Sequence, residues 1–312
     1  MGDNIGLRRT AGDPRTGRKA LMTFRGIRWI FIGIIAAALE AVFAATAHAW
    51  GPGVHTITAL TALSNAGAFL PAVSGLITSF PLEYLYGCLS ADFFIGKGRQ
   101  NPKRVHLHNW RGGFKFLEQA NSDRERAYAF GFLSHLAADV VAHNFFVPDL
   151  MDSSPRKGKM GHLYWELKAD YAAGPHYTGV ARAVLDMDHD VCDELLNTIV
   201  GKRGNGFKTK KRIYMGTVRF SDRFYTTRDF FFPEWKDGNT GFAEHLSSMV
   251  EASCLLVQDF LKRPSVSPCL LLDPMGRDRL GMLKKKRRWT NRFRKRSSVS
   301  SRFPQAGNPY KS

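Results

Sequence analysis

"SDRERAYAFGFLSHLAADVVAHNFF" runs from Ser122 to Phe146. Ser122 with Glu125 three residues on is a capping box, the signature of a helix start. Apolar residues then recur at helical spacing through Ala127, Phe130, Leu133, Leu136, Ala137, Val140, Val141 and Phe145, which predicts a wide apolar helix to about residue 147. Inside it stand His135, Asp139 and His143, each four residues after the last. That spacing lines them up on one helical face, about one turn apart. They are either polar groups satisfied inside a core or part of a site, and the rest of the chain must supply the partners.

Outward from this helix the same period dominates. "GPGVHTITALTALS" reads as a helix through Ile57, Leu60 and Leu63, and "GHLYWELKADYAA", "VARAVLDMDHDVCDELLNTIV" and "FAEHLSSMVEASCLLVQDFLK" read likewise. Strand-like alternation is confined to "KKRIYMGTVRF" and "FYTTRDFFF", an expected excursion within 205–240. The expected fold is all-α, a multi-helix domain over 50–283 with a site between helices.

Charge sits at the ends. Of a net +18, residues 1–49 hold 7 Lys/Arg against 3 acidic groups and residues 284–312 hold 11 with none, which leaves +3 for the middle. A basic pI is therefore weak support for nucleic-acid binding by the core. The start reads as an export signal over 1–49: Arg25 and Arg28, the apolar "WIFIGIIAAAL", then "AHA" ending at Ala49. The expectation is an exported protein, periplasmic or secreted, or membrane-anchored if the signal stays uncleaved. The tail 284–312 lacks a packable face and reads as disordered, with its basic and aromatic residues suited to contact with an anionic membrane surface. Cys88, Cys192, Cys254 and Cys269 have neither CxxC nor zinc-finger spacing and cannot be paired from sequence.

The partners of the central helix fall in a few short motifs. His55 follows Trp50 in "WGPGVH", and Asp92 lies in "LSADFF". His106 and His108 occupy "HLHNW", and His162 and Glu166 form another i, i+4 pair in "GHLYWE". Histidine and carboxylate are the ligands zinc accepts where a position stays open for water. So many candidates exceed what one tetrahedral ion needs, so more than one metal is implied. His189, within "DMDHD", reads instead as part of a solvated acidic face.

In this order the residues resemble the zinc-dependent phospholipase C family, which shares its all-helical fold and trinuclear zinc site with the single-strand-specific nucleases. The resemblance implies two or three zinc ions. It assigns the freed amine and carbonyl of Trp50 with His55 to one ion, and Asp92 with His106 or, preferred, His108 to a second. His135 and the bridging Asp139 lie between them, and His143, His162 and Glu166 take the third. The spacing of four between Asp139 and His143 departs from the family's six, and the short gap from Trp50 to His55 resembles the nuclease branch. The implied activity is phosphodiester hydrolysis, with a glycerophospholipid as substrate and Asp92 orienting or deprotonating the attacking water. The alternatives are a single-strand nuclease, with Trp110, Tyr164 and Trp165 stacking on bases, or a non-catalytic zinc-binding envelope protein.

Overall fold

The computed structural model describes residues 50–94, 107–155, 158–200, 205–224, 240–282 and 285, all within one compact unit, Ala44–Ser312. Residues 1–49, read from sequence as an export signal, and, apart from Lys285, the basic tail 284–312 lie outside the described residues. Eleven α-helices and no strand occur among the described residues. They are α1 (Pro52–Ser64), α2 (Pro71–Ser79), α3 (Pro81–Ser90), α4 (Trp110–Gln119), α5 (Asp123–Val141), α6 (Val147–Ser153), α7 (Gly158–Ala173), α8 (Pro175–Leu185), α9 (Asp190–Val200), α10 (Asn205–Phe224) and α11 (Thr240–Lys262). The all-α expectation holds.

α5 is the axis of the domain, packed by α1, α2, α3, α4, α9 and α11. Its capping box forms as read: the Ser122 hydroxyl accepts from the Glu125 N–H, and the Glu125 carboxylate accepts from the Ser122 N–H. From Ala127 to Val141 it is buried on every side. The helical run Asp123–Ser153 is long and apolar enough to cross a membrane, but 89 % of its most apolar window is buried inside the fold, the position of a core helix.

α3 crosses α5 at backbone contact. Gly87 faces Tyr128 and Phe132 of α5, and Gly131 faces Tyr84 and Cys88 of α3. A Cβ on Gly131 would lie 2.9 Å from the Tyr84 carbonyl carbon and 3.1 Å from the Cys88 nitrogen, and closer still to the Tyr84 oxygen. Neither helix can carry a side chain there at this separation.

The structure corrects the sequence reading at several places. The long helix does not run regularly to 147, because Ala142–Phe146 forms a π-turn between α5 and α6. Pro148 follows at once, with no N–H to continue the ladder, and the extra residue of the π-turn absorbs the break. That residue also rotates what comes after it, so Phe146 is buried and Phe145 is 43 % exposed. "KKRIYMGTVRF" is helical, part of α10; its core face is Phe207, Tyr214 and Val218, spaced by seven and four, whereas Ile213 faces out. "FYTTRDFFF" lies beyond the described residues after Phe224. In α1 the buried face is Val54, His55, Thr58, Ala59 and Ala62, with Ile57, Leu60 and Leu63 only half-buried. Small side chains let α1 pack closely on α8, α11 and α3. His189 is buried, stacked on Tyr86 with ring centroids 3.7 Å apart, and is not part of a solvated face.

Candidate metal centre

Four separate stretches bring candidate ligands to α5. α1 contributes His55 from its first turn. The 3-10 turn Ala91–Phe94, which continues α3, contributes Asp92. His108 arrives just before α4, whose start is fixed by Asn109: its side chain accepts from the Gly112 N–H at 2.8 Å. α7 contributes His162 and Glu166. All of these side chains are buried, as are His135, Asp139 and His143.

Eight of the nine residues singled out from the sequence fall into three groups whose ligand atoms lie within 4.8 Å of one another: His55, His135 and Asp139; Asp92, His108 and His135; and His143, His162 and Glu166. The first two groups share His135. Asp139 is the hub of the cluster, with one carboxylate oxygen 3.3 Å from His55 Nε2 and the other 3.2 Å from His108 Nε2 and 3.3 Å from His135 Nε2. His135 Nε2 also lies 3.3 Å from Asp92 and 2.9 Å from His108 Nε2. In the third group His162 Nε2 stands 2.6 Å from Glu166. His106 lies outside the described residues.

Trp50 stands apart from these groups through its side chain. The indole is fully buried, its N–H shared by the Ala138 carbonyl at 3.2 Å and the Ser253 hydroxyl at 3.1 Å. It is docked one residue from Asp139.

The donors fit a metal. Both His55 ring nitrogens, His108 Nδ1 and both Asp139 oxygens are buried without a hydrogen-bond partner among the described residues, because their close approaches lack hydrogen-bond geometry. Stranding so many polar atoms costs several kcal/mol unless a cation satisfies them. The chemistry of the set, neutral imidazoles with carboxylates, is that of zinc.

Several parts of the centre carry no signal in residue type. His135 Nδ1 lies 2.8 Å from the Cys88 carbonyl, which can only accept; Nδ1 therefore holds the proton and Nε2 faces the carboxylates. The Tyr214 hydroxyl donates to Asp92 at 3.4 Å. Asp170 was overlooked, although it extends the α7 row to i, i+4, i+8 with His162 and Glu166. Its carboxylate accepts from the Val54 N–H at 3.0 Å, at the N-terminus of α1, and a Cβ on Gly53 would sit 2.6 Å from it. Asp170 thus joins the helix carrying His55 to the helix carrying His162 and Glu166, and it accounts for both glycines in "WGPG", since a Cβ on Gly51 would also meet it, 2.5 Å from its Cγ.

The electrostatics follow from this crowding. Burial opposes a charged His135, but the Asp139 and Asp92 carboxylates outweigh it and bring the group up to about 10. Burial would raise Asp139, yet His135, His108 and His55 hold it well below the usual carboxylate range. Burial pushes His143 down to about 4, and burial together with neighbouring His135 lowers His55. At neutral pH the metal-free centre therefore keeps a proton on His135 where a cation belongs. Below about pH 10 zinc must displace that proton, and raising the pH removes the competitor. Zinc uptake is expected to release protons, with affinity rising up to about tenfold per pH unit between roughly pH 6 and 8. Titration calorimetry in buffers of differing ionisation enthalpy measures this; zinc uptake without proton release would mean that His135 is already neutral.

None of the curated proteins and none of the solved structures compared with the chain matches it. Residues 54–202 match the family model described as zinc dependent phospholipase C. The matched span holds all three ligand groups and Asp170; Trp50 lies just before it. Across that span the chain is similar to the zinc-dependent phospholipase C family.

Proposed function

We propose that this domain is a phospholipase C: it hydrolyses glycerophospholipids, releasing diacylglycerol and a phosphorylated head group. The observation that carries the reading is the sharing of His135 between two ligand groups around Asp139, beside a third group, within a zinc-dependent family. Two or three zinc ions would be held, by His55, Asp139, Asp92, His108 and His135 on one side and by His143, His162 and Glu166 on the other. Zinc, when bound, supplies water acidic enough to ionise near neutral pH and neutralises charge on the phosphate oxygens.

The protein's own groups do the rest. Asp139 presents both oxygens to facing histidines, an arrangement suited to bridging two ions. Asp92 lies beside His135 and accepts from Tyr214, which holds its carboxylate in place and suits it to orient the attacking water and take its proton. Water then adds to phosphorus, the bond to the glycerol oxygen breaks, and that oxygen leaves with a proton. Nuclease activity is less well supported: Trp110 and Trp165 pack against the core, stacked on Phe260 and Phe242 of α11.

Zinc-loaded protein is expected to release diacylglycerol from phosphatidylcholine vesicles and to leave single-stranded DNA intact. Turnover of DNA alone would replace the lipid reading with the nuclease one. Bound zinc without turnover of either substrate would mark a non-catalytic zinc protein. Export belongs to the same reading, because cleavage after Ala49 would free the Trp50 amine as a further donor beside His55. N-terminal sequencing of the exported chain tests it, and a first residue other than Trp50 would remove that donor.

A further inference from the structure

The family match ends at residue 202, yet the centre also draws on a segment far beyond it. After α11 the chain returns to α5 in the turn Asp273–Gly276. The Pro274 carbonyl lies 2.6 Å from His143 Nδ1. The Asn144 amide donates both to the Val140 carbonyl at 2.9 Å and to the Asp273 carbonyl at 3.0 Å, tying the turn to the helix. The turn is braced from within: the Asp273 carboxylate accepts from the N–H groups of Met275 and Arg277, each at 3.2 Å, and the Gly276 N–H donates to the Asp273 carbonyl at 2.9 Å. The Trp110 indole, two residues after His108, fixes the segment from its other side through the Leu272 carbonyl at 2.8 Å.

We propose that the turn Asp273–Gly276 is the positioning element of His143, and that it sets the affinity of the third metal group, His143–His162–Glu166. The proposal rests on the reading of that group as a metal site. Three observations lead to it. His143 stands in the π-turn, where the regular helical ladder is interrupted, so the helix alone does not orient its ring. A carbonyl can only accept; the Pro274 contact therefore puts the proton on Nδ1 and leaves the lone pair on Nε2, which fixes the tautomer a ligand needs. Finally, Gly276 is closed to other residues twice over. Its φ is +55°, and a Cβ would lie 2.7 Å from the His143 carbonyl carbon and 2.8 Å from its Cβ. The turn can approach His143 this closely only with glycine there. This is how a histidine four residues after Asp139, at a spacing the family resemblance did not lead one to expect, still joins the third group.

The test compares Gly276→Ala and Asn144→Ala with the wild type and with Gly281→Ala, whose added methyl meets nothing within 4 Å. Zinc per chain is measured against graded chelator, with the visible spectrum of the cobalt-substituted protein and far-UV circular dichroism alongside. Both test variants are expected to stay helical and to lose about 10- to 100-fold in affinity for one ion while the others are held as before, with a changed cobalt spectrum. Gly281→Ala is expected to match the wild type. Wild-type affinity for every ion in both test variants would overturn the proposal, as would an equal weakening of all ions, which would mark general destabilisation. If Gly276→Ala does not fold, Asn144→Ala decides by the same criteria. A wild-type chain that takes up no zinc would overturn the metal reading, and the proposal with it.

Discussion

Replacing Asp139 with alanine is expected to strip bound metal and to lower phospholipid turnover at least about a thousandfold, roughly 4 kcal/mol of transition-state stabilisation. No other carboxylate among the described residues approaches His55, His108, His135 and His143 together; the last lies 3.8 Å from Asp139. Without it the first group would lose its one carboxylate, and His135 loses one of the two carboxylates that support its charge. In the metal-free protein the buried imidazolium would be left poorly compensated, at a cost of about 3–5 kcal/mol. Asp139→Asn keeps the shape and removes only the charge, so it should retain more stability than the alanine variant while losing metal as well. Elemental analysis decides the matter. A variant with full zinc content would show that Asp139 is a structural polar group and would sink the enzyme reading.

The second large effect is expected at Gly131→Ala. Its neighbours are the backbone atoms of Tyr84 and Cys88, which cannot swing away as a side chain would. α3 and α5 would have to separate, at a cost of about 3 kcal/mol or more. The damage would reach the centre, because the Cys88 carbonyl that orients His135 is on α3. Zinc affinity should therefore fall together with the denaturation midpoint. Gly75→Ala, an added methyl on α2 with nothing within 4 Å, is the comparison; there a helical alanine should be neutral or stabilising by up to about 1 kcal/mol. Similar urea midpoints for the two variants would mean that the crossing tolerates a side chain.

What the sequence made legible was residue type at helical spacing. The row His135–Asp139–His143 and the pair His162–Glu166 could be found because i, i+4 positions must share a face, whatever the tertiary structure. The capping box at Ser122 was legible for the same local reason. The Cys88 and Pro274 carbonyls were not, since every residue carries a carbonyl and nothing in residue type marks the one that will meet a histidine. The π-turn was hidden because apolar spacing shows that a helix continues but not where its ladder takes in an extra residue. α10 was misread because Ile213, Met215 and Thr217 recur at every second position, as in a strand, whereas its true core face, Phe207, Tyr214 and Val218, recurs at seven and four. Asp170 was missed because its partner is a main-chain N–H more than a hundred residues earlier.

The candidate ligands come from stretches scattered between His55 and Glu166, and the four cysteines are all buried as free thiols. No covalent cross-link therefore ties this chain together among its described residues. A metal bound by these groups would do so instead, closing loops whose entropy in the unfolded chain is worth about 4–5 kcal/mol for a span near 100 residues. Resistance to unfolding would then depend on the surrounding zinc concentration, as it does for any ligand held by the native state alone. Scarcity of the ion would loosen the first helix from the seventh, and the protein would meet proteases as a less cooperative chain.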